Sequence, residues 1–368
     1  MNTTLKALSI ALLAALGCSG SGSGSGFDQT ELVESVGNTV IIPAYQAFAD
    51  ETAILVTEAE SFCAAPSESS LESLQTQWRA TRGAWKINAF LEFGPWRDQP
   101  WRLGPFIDFF PVREGTITGN LASDEPFTID RVRGLGASSR GLASMEFLIF
   151  NTDGLSTAFA EFEGDTGEQR CGYVAALAQD LDVNANAMVD AWSADGDDYL
   201  GSLLDSGTED APFMSIRAVT NELLTRMLVA VNEIRTDRMA IPLGLESGGE
   251  TRPDDLESRY SDNSIADILS SLDGLEALYT GTFDGTTGTS FRDWVETRNR
   301  AVAAEVTEEI QRTREAVQAI PEPLRLAIEN DPDSVQNAID VALDLRNVVG
   351  TDMVNALGGT VSFEGDGD

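Results

Sequence analysis

Residues 170–192, RCGYVAALAQDLDVNANAMVDAW, decide the fold. Within them Cys171, Val174, Ala178, Leu181, Ala185, Met188 and Trp192 recur at steps that alternate between three and four, the apolar seam of one long helix. Leu71, Leu74, Trp78 and Trp85 mark a second helix, whose start is signalled by Ser69 or Ser70 followed by Glu72. A third is predicted over 213–234, with Ile216, Val219, Leu223, Met227, Ala230 and Ile234 inward. Further helices are predicted over 264–279, 290–320 and 334–357. Alternation of period two is scarce, so the fold class is all-α: two bundles of long antiparallel helices packed together.

The chain has 368 residues, of which 42% are hydrophobic and 23% charged, enough to bury a sizeable core in two domains. The expected bundles are 30–205 and 206–360, with the boundary near 201–212, followed by an acidic tail over 361–368. Two stretches depart from helical patterning. Residues 93–126 begin FGPWRDQPWRLGPFIDFFP, too rich in Gly, Pro and aromatics for a regular helix. A long excursion of this kind in a bundle protein is more often functional or interfacial than idle. Residues 242–263 contain Gly248, Gly249 and Pro253 and read as a surface linker between the bundles.

Asp and Glu number 60 against 24 Lys and Arg, a net charge of −36. Such a field repels a phosphate backbone, which removes nucleic acid as a partner. Histidine is absent, so mechanisms that need imidazole are excluded together with the commonest metal ligand. Lys6 and Lys86 are the only lysines, leaving Lys86 alone for any Schiff-base chemistry.

Residues 1–17, with Lys6 ahead of the apolar run from Ala7 to Leu16, read as a secretory signal too short to span a bilayer. The junction Ala15-Leu16-Gly17-Cys18 matches a bacterial lipobox, which makes Cys18 the expected lipid anchor and the membrane an expected partner. Residues 18–29 then form a Gly/Ser tether. The expected location is the envelope of a Gram-negative bacterium, at the outer rather than the inner membrane. Cys63 and Cys171 remain; an oxidising compartment makes a disulfide the default reading, with two reduced buried thiols as the alternative.

Several segments taken in order carry a resemblance: Arg140-Gly-Leu-Ala-Ser-Met-Glu146, Ala218-Val-Thr-Asn221, Ile241-Pro-Leu-Gly244 and Glu257-Ser-Arg-Tyr-Ser-Asp-Asn263. Together they resemble the imelysin-like family. The resemblance implies an all-helical, two-domain periplasmic or surface protein, often a lipoprotein and often tied to iron uptake. That family was named for a proposed metallopeptidase activity resting on a Gly-x-His-x-x-Glu motif. Here the motif aligns with Gly141, Leu142, Ala143, Ser144, Met145 and Glu146, so its histidine is Ala143, as in the branch that lacks the motif. A catalytic zinc site wants imidazole or thiolate ligands and an open position for water, neither of which this chain supplies at the motif. No cofactor is assigned, although carboxylates suit hard cations such as Ca²⁺ or Fe³⁺.

Glu146 sits among Met145, Phe147, Leu148, Ile149 and Phe150, where an unpaired charge is costly and a partner is expected. Arg113, Arg140 and Arg259 are the candidate partners. The resemblance makes Glu146 part of a pocket, the alternative being a structural buried ion pair. The expected pocket comprises Glu146, Gly141, Arg140, Arg113, Arg259, Tyr260 and Ser261, with Asn263 or Ser264 capping the following helix. Trp96 and Trp101 are candidates for an aromatic pocket, whereas Trp78 and Trp85 belong to a core seam. Asp195-Gly-Asp-Asp198 does not fit an EF-hand, and Ser144 has no base to activate it. No catalytic or metal-ligating residue is assigned. The favoured function is a non-catalytic protein that binds an envelope partner or an iron-related ligand; the competing one is a hydrolase using carboxylates without histidine.

Overall fold

The computed structural model describes residues 26–361. Cys18 and the signal lie outside the described residues, as do most of the tether and nearly all of the acidic tail. Helix α1 (Ile42–Ala64) turns back sharply into α2 (Glu68–Asn88). The short α3 (Gly141–Ile149) and the long α4 (Gly167–Trp192) complete the first bundle, with α4 lying along α1. The second is a ring of α5 (Ile216–Arg235), α6 (Ser264–Thr280), α8 (Arg300–Gln318) and α9 (Pro332–Asn347), with α7 (Phe291–Arg298) leading into α8.

Beyond the half-buried Cys171, the seam that decides the fold is buried in full: Val174, Ala178, Leu181, Ala185, Met188 and Trp192 are each 0% exposed. Each large apolar side chain removed from water in this way contributes about 1.5 to 3 kcal/mol. Buried apolar residues form one contiguous cluster running from Leu32 to Leu357 through both bundles. The junction between bundles is the α2–α6 crossing. It requires Gly274, because a Cβ there would stand 1.8 Å from the carbonyl oxygen of Ile87. Cys63 and Cys171 are joined in a disulfide that ties the end of α1 to the start of α4.

Helix ends depart from the sequence reading where local capping wins. Helix α2 starts earlier, on Ser67, whose hydroxyl accepts from the Ser70 amide while Ser70 reciprocates, so Ser70 stands where Glu72 was expected to act. The helix predicted over 290–320 breaks at Asn299, which leaves helical geometry and caps the amides of Ala301 and Val302. Helix α5 begins on a Ser215 cap and runs on through a π-helical turn, Thr236–Ala240. Asn263 and Ser264 do not cap α6; Asn263 donates instead to the Asp267 carboxylate and Ser264 to the Glu257 carbonyl.

Residues 93–126 fold as short turns of helix, Gly94–Trp96, Gly104–Ile107 and Glu114–Leu121, over the ends of the first bundle. Residues 242–263 correct the expectation of a surface linker. Leu256, Ser258 and Ser261 are buried, and the segment is wedged against α2, α3 and α6. Polar side chains on those helices supply the hydrogen bonds that an irregular backbone needs when it enters a core.

Candidate functional site

Gly141 opens α3 at a φ of +74°, and a Cβ there would lie 2.3 Å from the Ile107 carbonyl oxygen. Only glycine brings the two segments this close. Helix α3 thereby delivers Glu146, 3% exposed, to the inner side of the 258–262 turn. Ser258 and Asp262 both adopt positive φ, which aims two successive amides inward. One Glu146 carboxylate oxygen accepts from the Tyr260 amide (3.0 Å), the Ser261 amide (2.9 Å) and the Ser261 hydroxyl (2.7 Å). Burial pushes the Glu146 carboxyl up to about 7, despite the Ser261 hydrogen bonds and the field of Arg82. Beside it lies a cavity of about 30 Å³ lined by Ala143, Glu146, Ser258 and Tyr260, room for a water or two.

None of the three arginines expected beside Glu146 pairs with it, and Arg140 and Arg259 are engaged elsewhere. Arg140 forms a bidentate pair with the fully buried Asp180 of α4, at 2.8 and 2.9 Å, and stacks over Phe106. Arg113 is exposed and makes no ion pair among the described residues. Arg259 binds Glu114 and Asp254 and donates to the Tyr260 hydroxyl at 2.7 Å. Glu146 is held by amides and a hydroxyl because the turn reaches it first. The nearest arginine influences come from Arg79, which binds the Ser261 carbonyl at 3.0 Å, and Arg82. The structure thus brings Glu146, Tyr260 and Ser261 into contact, with Arg259 attached through Tyr260.

A larger feature adjoins this one. Arg82 and Lys86 interrupt the inner face of α2 and are 1% and 2% exposed. Arg82 pairs with Asp267 at 2.9 Å, Asp108 at 2.5 Å and Glu257 at 3.5 Å. Lys86 shares Asp108 at 3.0 Å and Glu257 at 2.9 Å. Trp85 donates to Asp108 and Ser258 to Asp267. Burial alone would raise the Asp108 and Glu257 carboxyls, but the surrounding cations hold both below their ordinary values, Glu257 far below. The π-helical turn after α5 adds Arg238, which donates to Ser271 at 2.6 Å and approaches Glu257 and Glu233.

Of these groups Lys86, Asp108, Arg238 and Glu257 line a cleft of about 400 Å³ between the bundles, together with Trp85, Trp96, Phe109 and Phe110, while Arg82 and Asp267 lie behind it. Its lining also carries Glu92, Glu233 and Asp237. Burial, with Glu92, Glu257 and Asp237 nearby, pushes Glu233 up to about 8 although Arg238 opposes it, and Asp237 is raised by burial with Glu257 and Glu246 nearby, again against Arg238. Trp101 is not part of this lining; it bonds Asp197 and packs on Tyr199. Sequence reading missed the cluster, but it left a trace. The inner face of α2 reads Leu71, Leu74, Trp78, Arg82, Trp85, and an arginine at a seam position calls for buried carboxylates.

Residues 41–347 match a family model described as imelysin. The chain belongs to the imelysin family. An iron-regulated protein A of Synechococcus elongatus is 24% identical over 298 residues, which is 80% of this chain and 76% of the relative. Among solved structures, a Parabacteroides distasonis protein described as a proposed iron-regulated protein A precursor superposes with a TM-score of 0.78 at 18% identity. It covers 91% of this chain and 97% of its own. An imelysin-like protein from Psychrobacter arcticum gives 0.72 at 20% identity with the same coverage. At these identities the structural likeness establishes the shared imelysin fold. The catalytic zinc of a metallopeptidase does not fit the residues at the motif. The Ala143 side chain has no donor atom, and among the described residues no group of three His, Cys, Asp or Glu side chains is placed to hold a metal ion.

Proposed function

We propose that this imelysin-family protein is a non-catalytic binding protein of the Gram-negative cell envelope, lipid-anchored through Cys18 and linked to iron uptake. Its ligand or partner is taken up in the cleft between the bundles. The observation that carries this reading is the division of labour around the motif. Glu146 is committed to the Tyr260 and Ser261 donors beside a cavity with room for a water or two, whereas the adjoining cleft of about 400 Å³ has the size of a small-molecule site. The name of the Synechococcus relative supports the link to iron.

One observation favours a second reading, a hydrolase working through carboxylates. A buried glutamate titrating at about 7 has the affinity for protons that a general base needs at neutral pH. Incubating the purified protein with casein, alone and with Zn²⁺, Ca²⁺ or Fe³⁺, separates the two. No cleavage above a buffer control is expected. Sustained cleavage that disappears in Glu146→Ala would overturn the binding-protein reading. For the iron link, transcript levels are expected to rise under iron starvation, and unchanged levels would remove it.

A further inference from the structure

The charged groups of the cleft are not balanced. Arg82, Lys86 and Arg238 are matched by Asp108, Glu257 and Asp267, each within 4 Å of at least one of these cations. Glu233 and Asp237 line the cleft in addition, as does Glu92. Among the described residues Arg238, 3.6 Å from Glu233, is the one cation that opposes the upward shift of the Glu233 and Asp237 carboxyls. Glu233, partly withdrawn from water among other carboxylates, resists ionisation. Asp237, at the exposed edge of the cleft, is raised above its ordinary value by partial burial and the neighbouring Glu257 and Glu246. A pocket in that condition is stabilised by an incoming cation.

The shape of the surplus argues for an organic cation instead of a metal ion. No three carboxylates among the described residues converge closely enough to hold a metal, whereas an ammonium or guanidinium reaches separated acceptors through several N–H donors. In the same lining, the partly exposed rings of Trp96, Phe109 and Phe110 offer apolar surface suited to a cation and its hydrocarbon stem. Phe109 is 38% exposed, so the aromatic wall reaches the mouth of the cleft.

We propose that this cleft binds an organic cation, a primary ammonium or guanidinium group carried on an apolar stem, with Glu233 and Asp237 receiving the charge. The proposal rests on the reading of the cleft as the ligand-binding face, and names the class of ligand it takes.

The test uses the full-length mature protein and three probes of one shape: phenethylamine, its neutral counterpart phenethyl alcohol, and the anion phenylacetate. Binding is followed by calorimetry and by indole fluorescence near pH 8.5, where Glu233 ionises and the probe amine keeps its charge. Phenethylamine is expected to bind saturably, about tenfold or more tighter than the alcohol, with phenylacetate weakest. Glu233→Gln and Asp237→Asn should each weaken the amine about tenfold and leave the alcohol unchanged, while Glu308→Gln on the exposed face of α8 changes neither. An unaltered thermal melt in each variant separates lost binding from lost fold. Equal affinity for amine and alcohol, or no saturable amine binding, overturns the proposal. Preference for phenylacetate overturns the ligand class while leaving the cleft as a binding site. Neither result bears on the casein assay, so the two readings fail separately.

Discussion

Glu146→Gln tests whether one buried carboxyl governs part of the pH dependence of folding. In the folded protein burial raises this carboxyl to about 7, against an ordinary value of 4.5 in the unfolded chain. The fold therefore holds the proton more tightly than the unfolded chain does. The stability this contributes is fully present below 4.5 and is lost as pH rises through about 7. Between pH 5 and pH 8.5 the loss amounts to about 2 to 3 kcal/mol. Glutamine is neutral at every pH, and its carbonyl oxygen can still accept from Tyr260 and Ser261. Urea unfolding of both proteins at the two pH values provides the assay, because taking the difference cancels the titration of every other group. The wild type should lose about 2 to 3 kcal/mol more than the variant on going to the higher pH. At pH 5 the two should differ by less than about 1.5 kcal/mol, the size of a net hydrogen bond. The larger penalty of breaking a buried ion pair does not arise, since no arginine stands within pairing distance of Glu146. Parallel pH profiles would refute the burial argument, and a loss of several kcal/mol at pH 5 would make Glu146 a structural keystone.

Gly274→Ala places a methyl against the Ile87 carbonyl oxygen and should lower stability by about 1 to 3 kcal/mol, read as a fall in thermal midpoint; an unchanged midpoint would show that α2 and α6 can separate freely. Replacing Cys63 and Cys171 by Ser opens a loop of 108 residues and should cost about 4 to 5 kcal/mol in the chain-entropy picture, measured by urea unfolding. Thiol labelling of the unfolded, unreduced wild type should find neither of these cysteines free. Cys18→Ala should release the protein from membranes, and its retention in a salt-washed membrane pellet would remove the lipid anchor from the account.

Much of the fold was legible in the residues themselves. The alternating three-and-four spacing from Cys171 to Trp192 specifies a helix with one apolar stripe, and such a stripe must be buried against another. That reasoning needs only local geometry and the cost of exposing hydrocarbon to water. The same holds for the motif substitution, because the Ala143 side chain cannot replace an imidazole ligand in any fold. The apolar surroundings of Glu146 also demanded a polar partner, while its grouping with Tyr260 and Ser261 came from the family resemblance and the polar loop that holds those two residues.

The identity of that partner was decided by tertiary structure. An arginine and a pair of backbone amides can satisfy the same carboxylate, and only the path of the 258–262 turn selects the amides. Once they are in place Arg140 is left to Asp180 and Arg259 to Glu114 and Asp254. The charged cluster at the cleft shows the same limit over a longer range. Arg82 and Lys86 lie on α2, Asp108 in the first excursion, Glu257 in the second and Asp267 on α6. Nothing local in any of these segments announces the others. A helix seam repeats along the chain and can be read from it, whereas a buried charge cluster is satisfied by whichever groups the packing of two bundles brings within reach.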